Sequence, residues 1–397
     1  MKVYIVTNVP FPNGMAPANR IKCYAGAIAN AGIDCEILIY RRTERYGIAP
    51  QNVEPSGEVY GVKYKYIGGT PLRGSNVLIR RYNDYKDKQR LKLYLKNNLQ
   101  NGDVLFMYMG GDVHFCIEIC YLSHKLGVKC VRDLCELPYG TSVETSKAKK
   151  LRKITEQKLF PLCDGIIPIS DALMQYAQQF TNNECKYQKI PILVDFDEYA
   201  LKDRSGEAEY PYIFHSGTLT EQKDGILGMI EAFGMAKEKV PNNLKFICTG
   251  SKCNSRYCSD IDRLISIYNL QDNLIFTGYL EDAELRDYLQ NASLVIINKY
   301  PTQQNKYCFS TKLGEYMAAG KAVIITRVGE AVNWLHEGVD CIMIEADDKQ
   351  ALVDNILRLY KDAELRIRLG ECARMTCKNN FDYLAVSSLI KDFLYHL

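Results

Sequence analysis

The sequence holds one tryptophan and five histidines and, despite fifteen cysteines, no Cys-x-x-Cys pair. The closest cysteine spacings, Cys116/Cys120, Cys130/Cys135, Cys253/Cys258 and Cys372/Cys377, do not make a zinc signature. Cys23, Cys35, Cys130 and Cys248 fall inside apolar periodic segments, so most cysteines read as small buried hydrophobes in a reducing compartment. No apolar run approaches the roughly 20 residues needed to cross a bilayer. MKVYIVTNV runs into a proline-rich turn without a small-residue cleavage site, so no signal peptide is read. A cytoplasmic protein is expected, with peripheral membrane contact at the inner face left open. Gly-x-Gly-x-x-Gly is missing after the first strand, where NVPFPNG stands instead, and this disfavours a dehydrogenase. A net charge of +3 is too small to argue for nucleic acid, and none is expected as a partner.

What is present is a chain of 397 residues, 47% hydrophobic and 24% charged, long enough for two cores of ordinary size. Apolar strands alternate with amphipathic helices twice over. Strands are predicted at 2–7, 34–40, 103–109, 129–134 and 165–169, with helices at 19–31, 115–126 and 145–160. Residues 196–210 are polar and aperiodic and read as a linker. The pattern then restarts, with strands at 212–216, 244–249, 273–277, 294–298, 322–326 and 341–344. The alternation predicts an α/β chain of two Rossmann-like, doubly wound parallel-sheet domains, 1–195 and 211–382. The last helix, within 383–397, has no strand after it and is expected to cross back onto the first domain. Two such domains facing each other would form a cleft at the carboxyl ends of their strands.

Residues 306–329 (KYCFSTKLGEYMAAGKAVIITRVG) form a polar turn, a short helix and a buried strand. Ser310 or Thr311 can cap the helix, and Leu313, Tyr316 and Met317 give it an apolar stripe. Lys312 and the free amides of the first turn suit a phosphate. Glu315, one turn further in, is poorly explained as a core residue and suits the hydroxyls of a ribose. Three other strand-to-loop junctions carry glycine: FHSGTLTEQKDG with Gly217 and Lys223, CTGSK with Gly250, and FTGYLEDAEL with Gly278 and Tyr279. Each alone is weak, and their order relative to the 310–315 turn gives them weight. Between Lys63 and Lys96 stand ten Lys or Arg residues against Asp84 and Asp87, with five tyrosines interleaved. That segment suits an anionic surface or acceptor, or is a basic helix facing water.

On these residues the chain resembles the retaining glycosyltransferases of family 4 (group 1), which have the GT-B architecture. The resemblance covers nearly the whole chain and is most specific in LGEYMAAGKAV, residues 313–323, which is similar to the family's Glu-x-Met-Ala-x-Gly-Lys-Pro-Val block. It implies that Glu315 binds the donor ribose and that the amides from Thr311 to Leu313, beside Ser310, bind the diphosphate. Gly217 and Lys223 would form the phosphate loop, Gly250 the following strand end, and Tyr279 and Leu280 the nucleobase side. The chain departs from the family at three positions. Tyr307 stands where relatives place a second glutamate, Thr218 where they place an arginine, and Cys135 where they place a histidine before Glu136.

The implied reaction moves a sugar from a UDP- or GDP-sugar to a hydroxyl of a glycan or lipid-linked acceptor, with retention and without a metal or other cofactor. Lys223 and Lys312 would stabilise the departing diphosphate. Glu136 and His114 are the candidate polar groups of the first domain, Gly14 would approach the phosphates and Arg20 an anionic acceptor group. The alternatives are a non-catalytic glycosyltransferase-like subunit, which the three departures favour, and a GT-B nucleotide-sugar epimerase.

Overall fold

A computed structural model of the chain describes residues 1–140, 144–200, 210–217, 219–240 and 243–397. Two compact units emerge, Met1–Val194 with Tyr383–Leu397, and Asp195–Asp382. Each is a twisted sheet flanked by helices, the doubly wound arrangement expected from the alternating pattern.

The first unit has eight strands: β1 (Lys2–Thr7), β2 (Asp34–Ile39), β3 (Ser56–Val59), β4 (Val62–Tyr66), β5 (Val104–Tyr108), β6 (Lys129–Leu134), β7 (Gly165–Pro168) and β8 (Lys186–Tyr187). Their order is β3-β4-β2-β1-β5-β6-β7-β8, and β1 pairs in parallel with both β2 and β5. The sequence reading overlooked β3, which runs antiparallel to β4 at the edge. Tyr60 (φ 52°) and Gly61 (φ 75°) join them, the pair of left-handed residues that a two-residue hairpin requires. The core is built on Val3, Ile5, Ile37 and Phe106 from the strands and Ile21 and Tyr24 from the helix Ala16–Asn30.

The C-terminal segment completes this core. Tyr383 N–H donates to the Val194 carbonyl at 3.1 Å, and the Tyr383 ring stacks on Tyr60 at 5.2 Å. Gly26 makes room for that stack, since a Cβ there would lie 2.8 Å from the Tyr383 ring. The helix Ser387–Tyr395 buries Ile390, Phe393 and Leu394 against the first unit, each contributing roughly 1.5–3 kcal/mol of burial.

The second unit has β9 (Tyr212–His215), β10 (Lys245–Cys248), β11 (Leu274–Phe276), β12 (Leu294–Ile297), β13 (Val323–Thr326) and β14 (Ile342–Ile344), in the order β11-β10-β9-β12-β13-β14. All neighbours pair in parallel. The chain winds outward from β9 to β11, then returns to the other side of β9 with β12. The switch point therefore lies between β9 and β12, and ligands of such sheets bind at the carboxyl ends there. Of the expected linker, residues 201–209 lie outside the described residues. Its first part forms a short turn of helix, Asp197–Tyr199, held by Arg374 Nη1 on the Tyr199 carbonyl at 2.9 Å.

Candidate functional site

Three glycine junctions sit side by side at the carboxyl ends of β9, β10 and β11. The Gly217 amide donates to Thr249 Oγ1 at 2.8 Å, and the Thr249 amide to the His215 carbonyl at 3.0 Å. Gly250 and Gly278 exchange both backbone hydrogen bonds, at 2.6 and 3.2 Å. Gly250 has φ 90°, and a Cβ there would lie 3.1 Å from the Gly217 carbonyl. The backbone of this ledge can therefore be approached closely only because two of its turns lack side chains. Tyr279 and Leu280 follow directly, Tyr279 being 67% exposed. Leu219 takes the left-handed conformation (φ 52°) with its side chain buried, which pins the far end of the Gly217 turn. Thr218 lies outside the described residues.

The helix Thr311–Ala318 meets this ledge. Tyr316 reaches from it to the end of β9, its hydroxyl accepting from the Ser216 amide at 2.9 Å. Ser310 holds the N-cap position but its side chain makes no capping bond. The Leu313 amide donates to the Ser310 carbonyl at 3.0 Å, and the Leu313 side chain is fully buried. Leu313 is thus committed to the fold, which corrects its expected place among the diphosphate donors. The amides left for an anion are those of Thr311 and Lys312.

Lys312 is the cation at this helix start. Its Nζ lies 2.5 Å from Asp224 Oδ1, with 20% of its side chain exposed against 6% for Asp224. A Cβ on Gly217 would stand 2.5 Å from Lys312 Nζ and 3.0 Å from His215 Nε2, so the glycine is what admits both groups to the turn. Burial alone would raise the Asp224 carboxyl, but Lys312 holds it down at about 2. Burial, with Lys312 beside it, pushes His215 down to about 3, so the imidazole is neutral. It faces the Ile296 backbone, yet neither ring nitrogen achieves hydrogen-bond geometry. Lys299, 5% exposed after β12, donates from Nζ to the Lys223 carbonyl at 3.1 Å and fixes the loop that carries Lys223. The Lys223 side chain is exposed and adds its charge near Lys312. Sequence reading missed Asp224 and Lys299. The available signal was their position after β9 and β12, on either side of the switch point.

Glu315 lies one turn along the same helix, half-buried. Burial pushes its carboxyl up to about 7, Lys312 pulls it down, and Asp282 and Glu198 push it further. No side chain among the described residues donates a hydrogen bond to it, so both oxygens are left for a ligand. Tyr307 is half-buried at the end of the short preceding helix Gln303–Tyr307, with Lys306 Nζ 5.9 Å from its ring. The second glutamate's role is not filled by it, because a phenol lacks the paired acceptor oxygens of a carboxylate. Lys321, next to Gly320, is structural and donates to the Ala292 carbonyl at 3.1 Å.

In the first unit the candidates divide. Arg20 is 3% exposed and fully engaged, with Asp133 Oδ1 at 3.2 Å, the Pro191 carbonyl at 2.6 Å and Tyr24 Oη at 2.6 Å. This guanidinium braces the core and is enclosed, which corrects its expected contact with an acceptor. Gly14 serves a tight turn, since a Cβ would meet the Pro10 carbonyl and Ala18 at 2.9 Å. Asn8 and Gly110 bond reciprocally across the ends of β1 and β5, at 2.8 and 3.3 Å. His114 is exposed in the first turn of the helix Val113–His124, and Glu136 is exposed after β6. Burial, with Asp133 nearby, raises the Cys135 thiol, so the position expected for a histidine holds a neutral group.

Residues 210–362 match the family model described as glycosyl transferases group 1. The chain is 24% identical over 258 residues to the capsular polysaccharide biosynthesis glycosyltransferase CapM of Staphylococcus aureus, covering 61% of this chain and 64% of that one. It is 26% identical over 239 residues to N-acetyl-alpha-D-glucosaminyl L-malate synthase of Bacillus anthracis, covering 58% and 59%. The match thus spans about three fifths of each of these relatives. Among solved structures, sucrose-phosphate synthase from Thermosynechococcus elongatus superposes with a TM-score of 0.73 at 17% identity, covering 100% of this chain and 98% of that one. Anabaena HepE in complex with UDP-glucose superposes with a TM-score of 0.71 at 14% identity, covering both chains fully. Residues 210–362 therefore carry a domain of the glycosyl transferases group 1, and the two Rossmann-like units match those of GT-B structures.

Proposed function

We propose that the protein moves a sugar from a UDP- or GDP-sugar to a hydroxyl of a glycan or lipid-linked acceptor, with retention of configuration, in cell-surface polysaccharide or glycoconjugate synthesis. One observation carries this reading. An uncapped helix start bearing Lys312 and Glu315 stands against the Gly217 turn at the switch point of the second sheet. The likeness to a capsule-synthesis enzyme and to a chain that binds UDP-glucose supports the choice of donor and pathway class.

In this scheme the diphosphate lies along the Gly217 turn and the amides of Thr311 and Lys312. Cleavage of the anomeric C–O bond leaves its electron pair on the β-phosphate, whose charge grows in the transition state. Lys312 and Lys223 stabilise that charge more than the ground state, which is what accelerates the step. The acceptor oxygen attacks from the same face and passes its proton to a phosphate oxygen, so no strong enzymatic base is required. Glu315 accepts hydrogen bonds from the ribose hydroxyls, and Tyr279 and Leu280 flank the base. The scheme calls on the chain's own cations and on no metal.

A second reading, a donor-binding subunit without turnover, is favoured by the neutral thiol of Cys135 and by Tyr307 in place of a carboxylate. Thermal stabilisation by a panel of nucleotides and nucleotide sugars, followed by product analysis with several acceptors, separates the two. Donor hydrolysis lost in both Glu315→Ala and Lys223→Ala supports the transferase. Wild-type activity in either variant overturns the site assignment.

A further inference from the structure

Where β2 and β4 end, two loops are latched together and gather arginine. The Thr43 and Glu44 amides both donate to the Pro71 carbonyl at 2.9 Å, and Arg73 Nε donates to the Arg42 carbonyl at 2.9 Å. The helix Val77–Asn98 starts beside them, capped by Asn76 on the Ile79 amide at 2.8 Å. Together they enclose a cavity of about 170 Å³ lined by Arg41, Arg42, Arg73, Arg80 and Arg81, with Asp84 the one carboxylate. Asp84 pairs with Arg41 at 3.5 Å, and Arg42 pairs with the buried Asp87 at 2.9 Å. Arg80 and Arg81 pair with no carboxylate among the described residues. Burial, with Arg41 close by, depresses Arg73, as expected of a cation among like charges.

The surroundings of this pocket are apolar and open. Val77 is 51% exposed, Leu78 76%, Ile79 43%, Tyr82 57% and Tyr85 62%. Leu78, Tyr82 and Tyr85 recur at helical spacing and make one stripe on the solvent side. Gly74 is needed to seat Ile79, whose side chain would collide with any Cβ there. A soluble phosphate would have no use for such a stripe, whereas an amphiphile with a phosphate and acyl chains matches both halves. We propose that this corner docks the protein on an anionic membrane surface, the arginine pocket holding the phosphate of a phospholipid headgroup while Leu78, Ile79 and Tyr82 enter the interface.

Docking does not depend on turnover and is tested apart from it, by co-sedimentation of the full chain with vesicles. Binding is expected to mixed phosphatidylglycerol and phosphatidylcholine vesicles, weakening as salt is raised, and not to pure phosphatidylcholine. Arg80→Ala with Arg81→Ala should lower the partition coefficient roughly 30-fold, at about a factor of five per cation. Leu78→Ser with Tyr82→Ser should also lower it, while stabilisation by UDP stays unchanged in both variants because all four side chains are outside the second unit. Equal binding to neutral vesicles, or wild-type binding by the arginine variant, would overturn the proposal. So would calorimetric binding of inorganic phosphate in a chain that ignores anionic vesicles, since that result describes a soluble phosphate site.

Discussion

Lys312 and Asp224 are 88 residues apart in sequence, and their Nζ and Oδ1 atoms lie 2.5 Å apart in space. The carboxylate holds the ammonium against the Gly217 turn, where a Cβ would displace it. Lys312→Ala should lower kcat/KM about 100-fold, the usual effect of losing one preorganised charge at a developing anion. Asp224→Asn should lower it about tenfold, because the lysine remains but is less well placed. The pair adds no acid sensitivity near neutrality. A depressed carboxyl contributes stability that is present above its unfolded pKa, about 3.8, and is lost only as pH falls through about 2.

Glu315 behaves in the opposite sense. Its carboxyl is raised to about 7, so the folded state binds a proton that the unfolded chain releases near 4.5. Stability contributed by this group therefore falls as pH rises from about 4.5 through 7 and is constant above. Glu315→Gln should stabilise the protein above neutrality by up to about 3 kcal/mol, the equivalent of the shift, and should have little effect near pH 5. Denaturant unfolding at the two pH values measures this.

Donor affinity should show the complementary dependence. If the carboxylate accepts two ribose hydroxyls, UDP binding strengthens as pH rises through about 7, and this rise disappears in Glu315→Gln. Calorimetric titration across that interval checks it, and a flat wild-type profile would count against the ribose role.

Gly250 and Gly278 form a matched pair for testing the ledge. Both have positive φ, 90° and 78°, so alanine at either should cost roughly 1–2 kcal/mol of backbone strain. At Gly278 nothing lies within 4 Å of the place an alanine methyl would take, whereas at Gly250 the Gly217 carbonyl lies at 3.1 Å. Gly250→Ala should therefore also weaken UDP binding, and Gly278→Ala should leave it near wild type. Calorimetric titration of UDP into the two variants separates these outcomes.

Arg20→Ala should act on the fold. Removing one member of the enclosed Arg20–Asp133 pair leaves a buried charge unpaired and should destabilise the protein by about 3–5 kcal/mol. Thermal unfolding reads the loss, and a variant of wild-type stability would contradict the bracing role.

These cases also show which parts of the molecule sequence could reveal. Strand ends are local: apolar periodicity stops, a glycine follows, and the ledge of Gly217, Gly250 and Gly278 is legible from that alone. The helix carrying Lys312 and Glu315 is legible for the same reason. Arg20 was misassigned because its meaning lies in Asp133, 113 residues away, and in the carbonyls of residues 190 and 191. Asp224 and Lys299 escaped notice because nothing in their neighbourhoods marks them until the sheet order brings β9 beside β12. The β3 hairpin was hidden by composition, its Ser-Gly-Glu-Val carrying little strand propensity, and only the left-handed Tyr60 and Gly61 specify the reversal.

The central claim is that a donor diphosphate rests on the Gly217 turn beside Lys312. Calorimetric titration of UDP into the wild type and into Lys312→Ala tests it most directly. The account predicts saturable binding by the wild type and affinity at least about tenfold weaker in the variant. Equal affinity in the two proteins would contradict it.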